Sequence, residues 1–427
     1  MKIFRINLYL NFFYYLSSIF KNPSNYKKKI VYEIKKNSNK KFFEFSSQLR
    51  VGFLILLKYL KKNNPEKNEI IFSSYNLEEM IEIAKNLKFK IKFVDIDVKT
   101  GCLNRKKFIN AVNKKTLALV YTNMFNDFKS QSIIKDLCKK KRITFIEDNA
   151  IYFDNYYLKK NKKIYSGSLG DYSLYSFNIM KNISALYGGG ISTNDINFVN
   201  FNKSFQSSFK NFPLNTYIKQ NFIYLILKIF SLKLFYNFFF FYVVKYAHKY
   251  QNKKLLQLFY PSLKFKIRKR IPFIYFTKMA SFSKKLVYMQ LSDKLTRKKN
   301  HFVRKKNNQY YLRKLKMMKI KEVKFFNVKD FNYQNFLDFP ILVEKKNLLN
   351  DYLLKNGYET KFLNYKNCAK TFKIDTLQNI NAELYEQSLL CLPSHNKIEK
   401  SYIDKILRVI QDFYLKNEYY KKSRNRR

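Results

Sequence analysis

Short apolar segments alternate with amphipathic segments over the first half of the chain. EIIFSS (69–74), TLALVYT (116–122) and ITFIED (143–148) are apolar runs of strand length. NLEEMIEIAKNL and IIKDLCKKK lie between these runs and have the apolar spacing of helices. Strands that alternate with helices predict parallel βαβ units, whose ligands bind at the carboxyl ends of the strands. Asp148 is predicted to stand at such an end.

A second predicted strand end follows in GSLGDYSLYSFNIMK (167–181). It contains two turn glycines, then an alternating strand and a polar turn, so Ser176 and Lys181 are also expected at a strand end. The parallel rhythm stops beyond Thr193. Three glycines, 188–190, stand shortly before that point in a chain that has only eight.

The pattern changes in the second half of the chain. A long apolar and basic stretch is followed by helical segments, and then by FPILVEK, NLLNDYLLKNG and YIDKILRVIQDFYLK, which predict a strand and two helices. This order favours a smaller α+β domain at the C-terminus. The predicted divisions are an N-terminal amphipathic segment (1–44), a large α/β domain (45–200), an apolar and basic helical insert (201–275), and a helix with the small domain (276–427).

Two apolar segments raise the question of a membrane. INLYLNFFYYLSSIF (6–20) has the outline of a signal sequence, but no small-residue cleavage site follows it. The stretch 221–244 is interrupted by Lys228 and Lys233, and each central lysine costs roughly 2.5–3.5 kcal/mol on insertion. We therefore do not expect a spanning helix. Two interpretations stay open for the insert, a buried helical hairpin and an interfacial helix whose lysines reach lipid head groups.

The composition narrows the function classes. The formal net charge of +54 favours polyanionic ligands, but the lysines are spread along all 427 residues and no nucleic-acid-binding motif is present. A nucleic-acid-binding protein is thus an alternative that rests on charge alone. Widely spaced cysteines and only three histidines predict no metal site and a cytoplasmic protein with reduced thiols. The cysteines are Cys102, Cys138, Cys368 and Cys391.

Five motifs together resemble one family in their order and spacing. They are EDNA (147–150), GSLGD (167–171), SFNIMK (176–181), GGGISTND (188–195) and CLPSH (391–395). The family is that of the DegT/DnrJ/EryC1/StrS sugar aminotransferases, which are pyridoxal-phosphate (PLP) enzymes of aspartate aminotransferase fold type I. The resemblance covers residues 45–200 and 275–415. It implies an α/β fold with a mostly parallel central sheet, a smaller C-terminal α+β domain and a helical insert.

The resemblance assigns cofactor roles to five residues. Lys181 corresponds to the lysine that forms the Schiff base with PLP, and Asp148 to the acid that faces the pyridine nitrogen. Ser176 corresponds to a phosphate donor, and Arg50 to the arginine of a phosphate-binding turn at a helix start. Tyr75 is the nearest aromatic residue for stacking on the ring. The glycines 188–190 are expected to let the backbone turn close to the cofactor.

The sequence also departs from the family pattern. Gln48 and Leu49 replace the serine and glycine of the phosphate turn, and Leu77 stands where a ring-stacking aromatic residue is usual. Ile151 replaces a glutamine after the EDNA motif, and Phe276 replaces an asparagine that reaches the neighbouring subunit. These departures leave a second interpretation open, a degenerate relative that binds a nucleotide-sugar or a membrane partner without catalysis.

The function implied by the resemblance is transfer of an amino group, usually from glutamate, to a nucleotide-linked keto-sugar in cell-surface polysaccharide or related sugar biosynthesis. Dehydratases of the family have a histidine in place of the lysine, so Lys181 argues against dehydration. A homodimer is expected. We also expect the cytoplasmic protein to touch the inner membrane surface through residues 218–248, because this stretch combines aromatic residues with lysines.

Overall fold

The computed structural model describes residues 2–424, apart from residues 22, 126–127, 152, 154, 160, 251, 253, 256–266 and 327–335. Part of the predicted insert (251, 253 and 256–266) and the outer bounds of the first and last predicted domains (Met1 and 425–427) thus lie outside the described residues. The described strands are β1 (Phe42–Ser46), β2 (Glu69–Ser73), β3 (Tyr75–Asn76), β4 (Lys90–Val94), β5 (Thr116–Thr122), β6 (Thr144–Asp148), β7 (Tyr156–Lys159), β8 (Lys162–Tyr165), β9 (Tyr172–Ser176), β10 (Gly189–Thr193), β11 (Val323–Phe325), β12 (Phe339–Val343), β13 (Lys366–Asn367) and β14 (Leu389–Leu392).

Helices precede, separate and follow these strands. They are α1 (Phe12–Phe20), α2 (Tyr26–Ser38), α3 (Leu49–Asn63), α4 (Glu78–Asn86), α5 (Arg105–Ala111), α6 (Phe128–Lys140), α7 (Ile196–Ser207), α8 (Leu214–Phe230), α9 (Lys233–Phe235), α10 (Phe241–Lys249), α11 (Ser281–Ser292), α12 (Lys294–Met318), α13 (Lys346–Lys355), α14 (Cys368–Phe372), α15 (Ile380–Ser388) and α16 (Lys400–Arg424). A π-helical turn, Tyr236–Phe240, joins α9 to α10, and short 3-10 helices cover Phe273–Phe276 and Thr376–Gln378.

A seven-stranded sheet in the order β1-β10-β9-β6-β5-β2-β4 forms the centre of the protein. The neighbours from β9 to β4 are all parallel, whereas β10 runs antiparallel to both β1 and β9. The predicted apolar runs form β2, β5 and β6, and the amphipathic segments between them form α4 and α6. The predicted α/β fold with a mostly parallel central sheet is therefore confirmed.

Helix α3 packs directly on this sheet. From Val51 to Tyr59 every residue except Lys58 is buried, because the helix lies between the sheet and the helices α4 and α7. Each fully buried Leu, Ile or Phe side chain stabilises the fold by roughly 1.5–3 kcal/mol. This packing fixes the first turn of α3 against the end of β10.

The C-terminal part contains a second sheet, in which β11, β12 and β14 are antiparallel. Helices α12, α13 and α16 pack beside it, and the Tyr311 ring stacks on the Phe339 ring with their centroids 4.9 Å apart. The predicted FPILVEK strand and the two helices after it are the observed β12, α13 and α16.

The N-terminal segment is part of the packed structure. Phe4 packs between the rings of Tyr236 and Phe240, and Arg5 forms a buried ion pair with Glu359 at 3.3 Å. The Tyr236 hydroxyl donates to the same Glu359 carboxylate. These contacts join the start of the chain, the insert and the small domain.

The insert helices α8 and α10 are not long enough to cross a bilayer singly. Within the described residues, only Leu214–Phe230 taken together with Lys233–Lys249 reaches the length and apolar content of a span, and these two segments are bent by 77° at their junction. The Tyr224 ring of α8 stacks on the Tyr15 ring of α1, 5.1 Å away. The inner side of the insert is thereby fixed to the N-terminal segment.

Candidate functional site

A cavity of about 840 Å³ lies beside the carboxyl ends of β6 and β9 and the first turn of α3. Its lining includes Arg50, Asp148, Ser176 and Lys181, four of the five residues singled out in the sequence. The structure therefore brings these four side chains into one site. Their individual roles remain predictions.

Asp148 and its neighbour Glu147 have different surroundings because successive side chains of a strand point to opposite faces. Glu147 is fully buried and accepts hydrogen bonds from the backbone N–H groups of Gly167 (2.7 Å) and Gly170 (2.9 Å), so it holds the GSLGD turn. Asp148 lines the cavity instead, and accepts a hydrogen bond from the Ala150 N–H at 2.9 Å. Of this acidic pair, Asp148 is thus the one available to a ligand.

Lys181 lies in a loop between β9 and β10 that is fixed by α11. The amide of Gln290 accepts from the Ser184 N–H (3.0 Å) and donates to the Ser184 carbonyl (2.6 Å). Within the described part of the chain, the Lys181 amine has no hydrogen-bond partner of its own. The amine is therefore held in place through its loop while it stays open to a ligand.

The electrostatics of the cavity favour a reactive lysine. Burial, followed by the Lys361 ammonium, lowers the pKa of Lys181, the Asp148 carboxylate acts in the opposite direction, and the net pKa is about 8. Burial raises the pKa of Asp148 to about 6, although the Ala150 N–H and the Lys181 charge limit the rise. Near pH 7 the carboxyl is mostly charged, and a fraction of the amine is neutral and nucleophilic.

The first turn of α3 contributes a positively polarised wall. Gln48, Leu49 and Arg50 line the cavity, and the Arg50 guanidinium donates to the Glu79 carboxylate at 3.0 Å. The unpaired N–H groups of a helix start and a nearby guanidinium are suited to an anionic group. The fully buried Ser47 hydroxyl beside this turn has no hydrogen-bond partner among the described residues.

The three glycines 188–190 meet only part of the expectation. Gly188, Gly189 and Gly190 do not turn the chain, because none of them has a positive φ; the left-handed residue of this loop is the buried Leu186 (φ 66°). A Cβ on Gly189 would lie 2.4 Å from the Leu49 nitrogen. The predicted turn at the glycines is thus wrong, but Gly188 does line the cavity, and Gly189 permits close contact between β10 and the start of α3.

Tyr75 is the predicted residue that the structure does not bring to the cavity. It belongs to β3, which pairs with β13, and its fully buried ring packs against Tyr365 and Tyr385 at 6.0 and 5.8 Å. Strand β3 ends at Asn76 and Leu77 is the N-cap residue of α4, so the strand alternation does not extend to Leu77; Leu77 lines the cavity, whereas Tyr75 faces the core. The prediction that the Tyr75 ring stacks on the cofactor is therefore corrected, because this ring lies in the core.

The residues that depart from the family pattern divide into two groups. Four of these residues line the cavity, so their replacement of the usual family residues changes the site itself. They are Gln48, Leu49, Leu77 and Ile151. Phe276 lies elsewhere and packs its ring on the Phe209 ring, 5.8 Å away. Four departures therefore alter the shape and polarity of the cavity, and the fifth adds to the core.

The structure also brings in residues that the sequence did not indicate. Lys361 and Asp338 form an ion pair of 2.7 Å in the cavity wall, although they come from the small domain. The insert supplies a further, apolar wall, which no local signal in the sequence places there. Its residues at the cavity are Gln220, Ile223, Ile226, Leu227, Phe230, Phe239, Phe240, Val243 and Leu255.

The donor set fits PLP. That cofactor needs an amine for covalent attachment, a carboxylate for its ring nitrogen and anion-binding groups for its phosphate. Lys181, Asp148 and the α3 start with Arg50 offer these groups around a single cavity. Among the described residues no cluster of three or more His, Cys, Asp or Glu side chains could hold a metal ion, and all four cysteines are buried and free.

Comparison with known proteins agrees with this donor set. Residues 51–212 match the model of the DegT/DnrJ/EryC1/StrS aminotransferase family. Over this segment the chain is similar to that family. The match confirms the resemblance, and the matched segment contains Asp148, Ser176 and Lys181.

The curated relatives match over a limited length. The chain is similar to the UDP-4-amino-4,6-dideoxy-N-acetyl-beta-L-altrosamine transaminase of Helicobacter pylori, with 24% identity over 144 residues. It is also similar to an uncharacterized protein of Methanocaldococcus jannaschii, with 28% identity over 139 residues. These alignments cover 34% and 33% of this chain. The chain thus spans about a third of the length of the curated relatives that it matches, 37% and 35% respectively.

Solved structures share the fold over nearly the whole chain. One is Helicobacter pylori PseC, an aminotransferase involved in pseudaminic acid biosynthesis, with a TM-score of 0.68 and 16% identity over 96% of this chain and 99% of that one. Another is the E. coli GDP-4-keto-6-deoxy-D-mannose-3-dehydratase with bound hydrated PLP, with a TM-score of 0.68 and 18% identity over 95% and 99%. An aminotransferase and a dehydratase match equally well, so the fold alone does not separate the two reactions.

Proposed function

We propose that the protein is a PLP-dependent aminotransferase that transfers an amino group, with glutamate as donor, to a nucleotide-linked keto-sugar in cell-surface polysaccharide or related sugar biosynthesis. The observation that carries the proposal is the partly buried Lys181, whose amine has a lowered pKa and lies in the same cavity as the Asp148 carboxylate. A histidine at position 181 would favour dehydration, and this chain has a lysine.

Each side chain has a defined task in this proposal. PLP, when bound, withdraws electrons from the substrate carbon. Asp148 would hold the proton on the ring nitrogen, while the α3 start, Arg50 and Ser176 would bind the phosphate. Lys181 would attach the cofactor and afterwards, as a neutral amine, take a proton from the substrate carbon and return it.

The charges in the cavity support an anionic substrate. Arg50 and Lys361 place two cations near Lys181, and the formal net charge of +54 attracts phosphates at longer range. The relatives' sugar substrates support the keto-sugar. We further propose a cytoplasmic homodimer, which the resemblance to type I enzymes supports, and a sedimentation experiment that finds only monomer would contradict the dimer.

Absorbance spectroscopy tests the central proposal. Purified protein with added PLP should show a visible band that disappears in Lys181→Ala and that glutamate abolishes in the wild type. Lys284→Ala is the matched control, because burial also lowers the pKa of Lys284 to about 8, yet Lys284 does not line the cavity. A band that survives in Lys181→Ala, or no band in the wild type, would contradict the proposal.

A further inference from the structure

The cavity has two chemically different parts. Its floor contains Lys181, Asp148 and the Lys361–Asp338 ion pair, whereas the wall from α8, the π-helical turn and α10 is almost entirely apolar. Ile223, Ile226 and Val243 are among the aliphatic residues of that wall. PLP and a sugar ring are polar, so neither accounts for a wall of this composition.

The volume of the cavity and the position of its apolar wall point to a ligand that extends beyond the reaction centre. Ligand cavities of drug-sized molecules occupy about 300–1,000 Å³, and this cavity of about 840 Å³ lies near the upper end. The wall is also anchored, since Phe240 stacks on Phe230 with centroids 4.5 Å apart and packs against Phe4. The insert therefore forms a fixed side of the cavity.

The apolar wall continues to the outside of the protein. Phe239 lines the cavity and still exposes 58% of its surface, and its neighbour Phe238 is 80% exposed. An apolar chain could therefore lie along the wall and leave through this edge without exposing its full length to water.

We propose that the insert forms a subsite for a hydrocarbon chain, so that the keto-sugar substrate is an amphiphile. The chain would belong either to an acyl group on the nucleotide-linked sugar or to a lipid carrier that takes the place of the nucleotide, and both present the same chemistry to the wall. This inference rests on the proposed aminotransferase, because it assigns the polar floor to the sugar and the cofactor.

Two isoleucines of the same helix provide the test. Ile226 lines the cavity, whereas Ile229 is 47% exposed and does not line it. Binding of fluorescent dansylamino-undecanoic acid should be about tenfold weaker in Ile226→Asn, since an unpaired amide in an apolar wall is unfavourable, and nearly unchanged in Ile229→Asn. Equal effects of the two substitutions, or no effect of either, would overturn the subsite.

Competition and absorbance complete the experiment. Displacement of the probe by farnesyl phosphate supports a lipid carrier, and displacement by an octanoylated hexosamine supports an acyl group; displacement by UDP but by neither amphiphile would overturn the subsite. The PLP band, recorded on the same samples, shows that both variants retain the cavity floor. A band without selective probe binding overturns the subsite alone, and selective probe binding without a band overturns the aminotransferase alone.

Discussion

Charge interactions around Lys181 set the chemistry at the scale of single residues. Burial in the cavity lowers the pKa of its amine. The Lys361 ammonium lowers this pKa as well, whereas the carboxylates of Asp148 and Asp338 raise it. The EDNA motif and the lysine spacing identified Asp148 and Lys181 from the sequence. Lys361 and Asp338 come from the small domain and are far from Lys181 in the chain, so their effect on the pKa of the amine could not be predicted from the sequence.

The rate at which PLP attaches to the protein should therefore depend on pH through Lys181. The neutral amine is the reactive form, so the rate should rise with pH and level off above about pH 8. In Lys361→Gln the removal of a positive charge, together with the unpaired Asp338 carboxylate, stabilises the ammonium and should move the midpoint to higher pH. Stopped-flow absorbance measures both profiles, and a wild-type midpoint near 10.5, the ordinary lysine pKa, would contradict this tuning.

Asp148→Asn should move the same profile in the opposite direction. The Asp148 carboxylate raises the pKa of Lys181, so its removal favours the neutral amine and should shift the midpoint below about pH 8. The same substitution should weaken PLP binding, because the ring nitrogen loses its carboxylate partner. An unchanged midpoint together with unchanged binding would exclude Asp148 from the site.

At the scale of elements, close contact between β10 and α3 shapes the anion-binding end of the cavity. Gly189 faces the backbone of Gln48 and Leu49, and its strand pairs with β1 and β9 on either side. The sequence showed that glycine was concentrated there. It did not show the neighbour that requires glycine, because α3 precedes β10 by more than a hundred residues.

Gly189→Ala should accordingly destabilise the protein more than Gly188→Ala. The new methyl group at 189 would lie 2.4 Å from the Leu49 nitrogen, and overpacking of this kind costs about 1–3 kcal/mol. At 188 it would meet the flexible end of Met279, which can move aside. Urea unfolding measures the two free energies, and equal values would show that the β10–α3 contact is not tight.

At the scale of the whole molecule, the insert combines an inner wall with an outer apolar face. Leu214, Ile218 and Phe222 are exposed at four-residue spacing on α8. Leu234, Phe238, Tyr242 and Tyr246 repeat that spacing over the next helical segment. Exposed lysines, Lys219, Lys233 and Lys249, accompany both stripes. Such a face suits the surface of an anionic bilayer, which supports the proposed contact of residues 218–248 with the membrane.

Flotation with anionic liposomes tests this contact. The wild type should float, and the double substitution Phe222→Glu with Phe238→Glu should stay at the bottom of the gradient, because it places two carboxylates on the proposed face. Leu377→Glu is a matched control, since Leu377 is 90% exposed but lies in the small domain. Flotation of all three proteins, or of none, would contradict the proposed membrane contact.

The sequence by itself determined the parallel α/β core, the smaller C-terminal domain and the positions of Asp148, Ser176 and Lys181. These depend on periodicity and spacing within short, continuous segments, which local backbone geometry translates directly into structure. The tertiary structure alone decided that Leu77 rather than Tyr75 faces the cavity, that Lys361 and Asp338 join it, and that the insert forms its apolar wall. Those features arise from packing between segments far apart in the chain, and no local pattern encodes which distant surfaces meet.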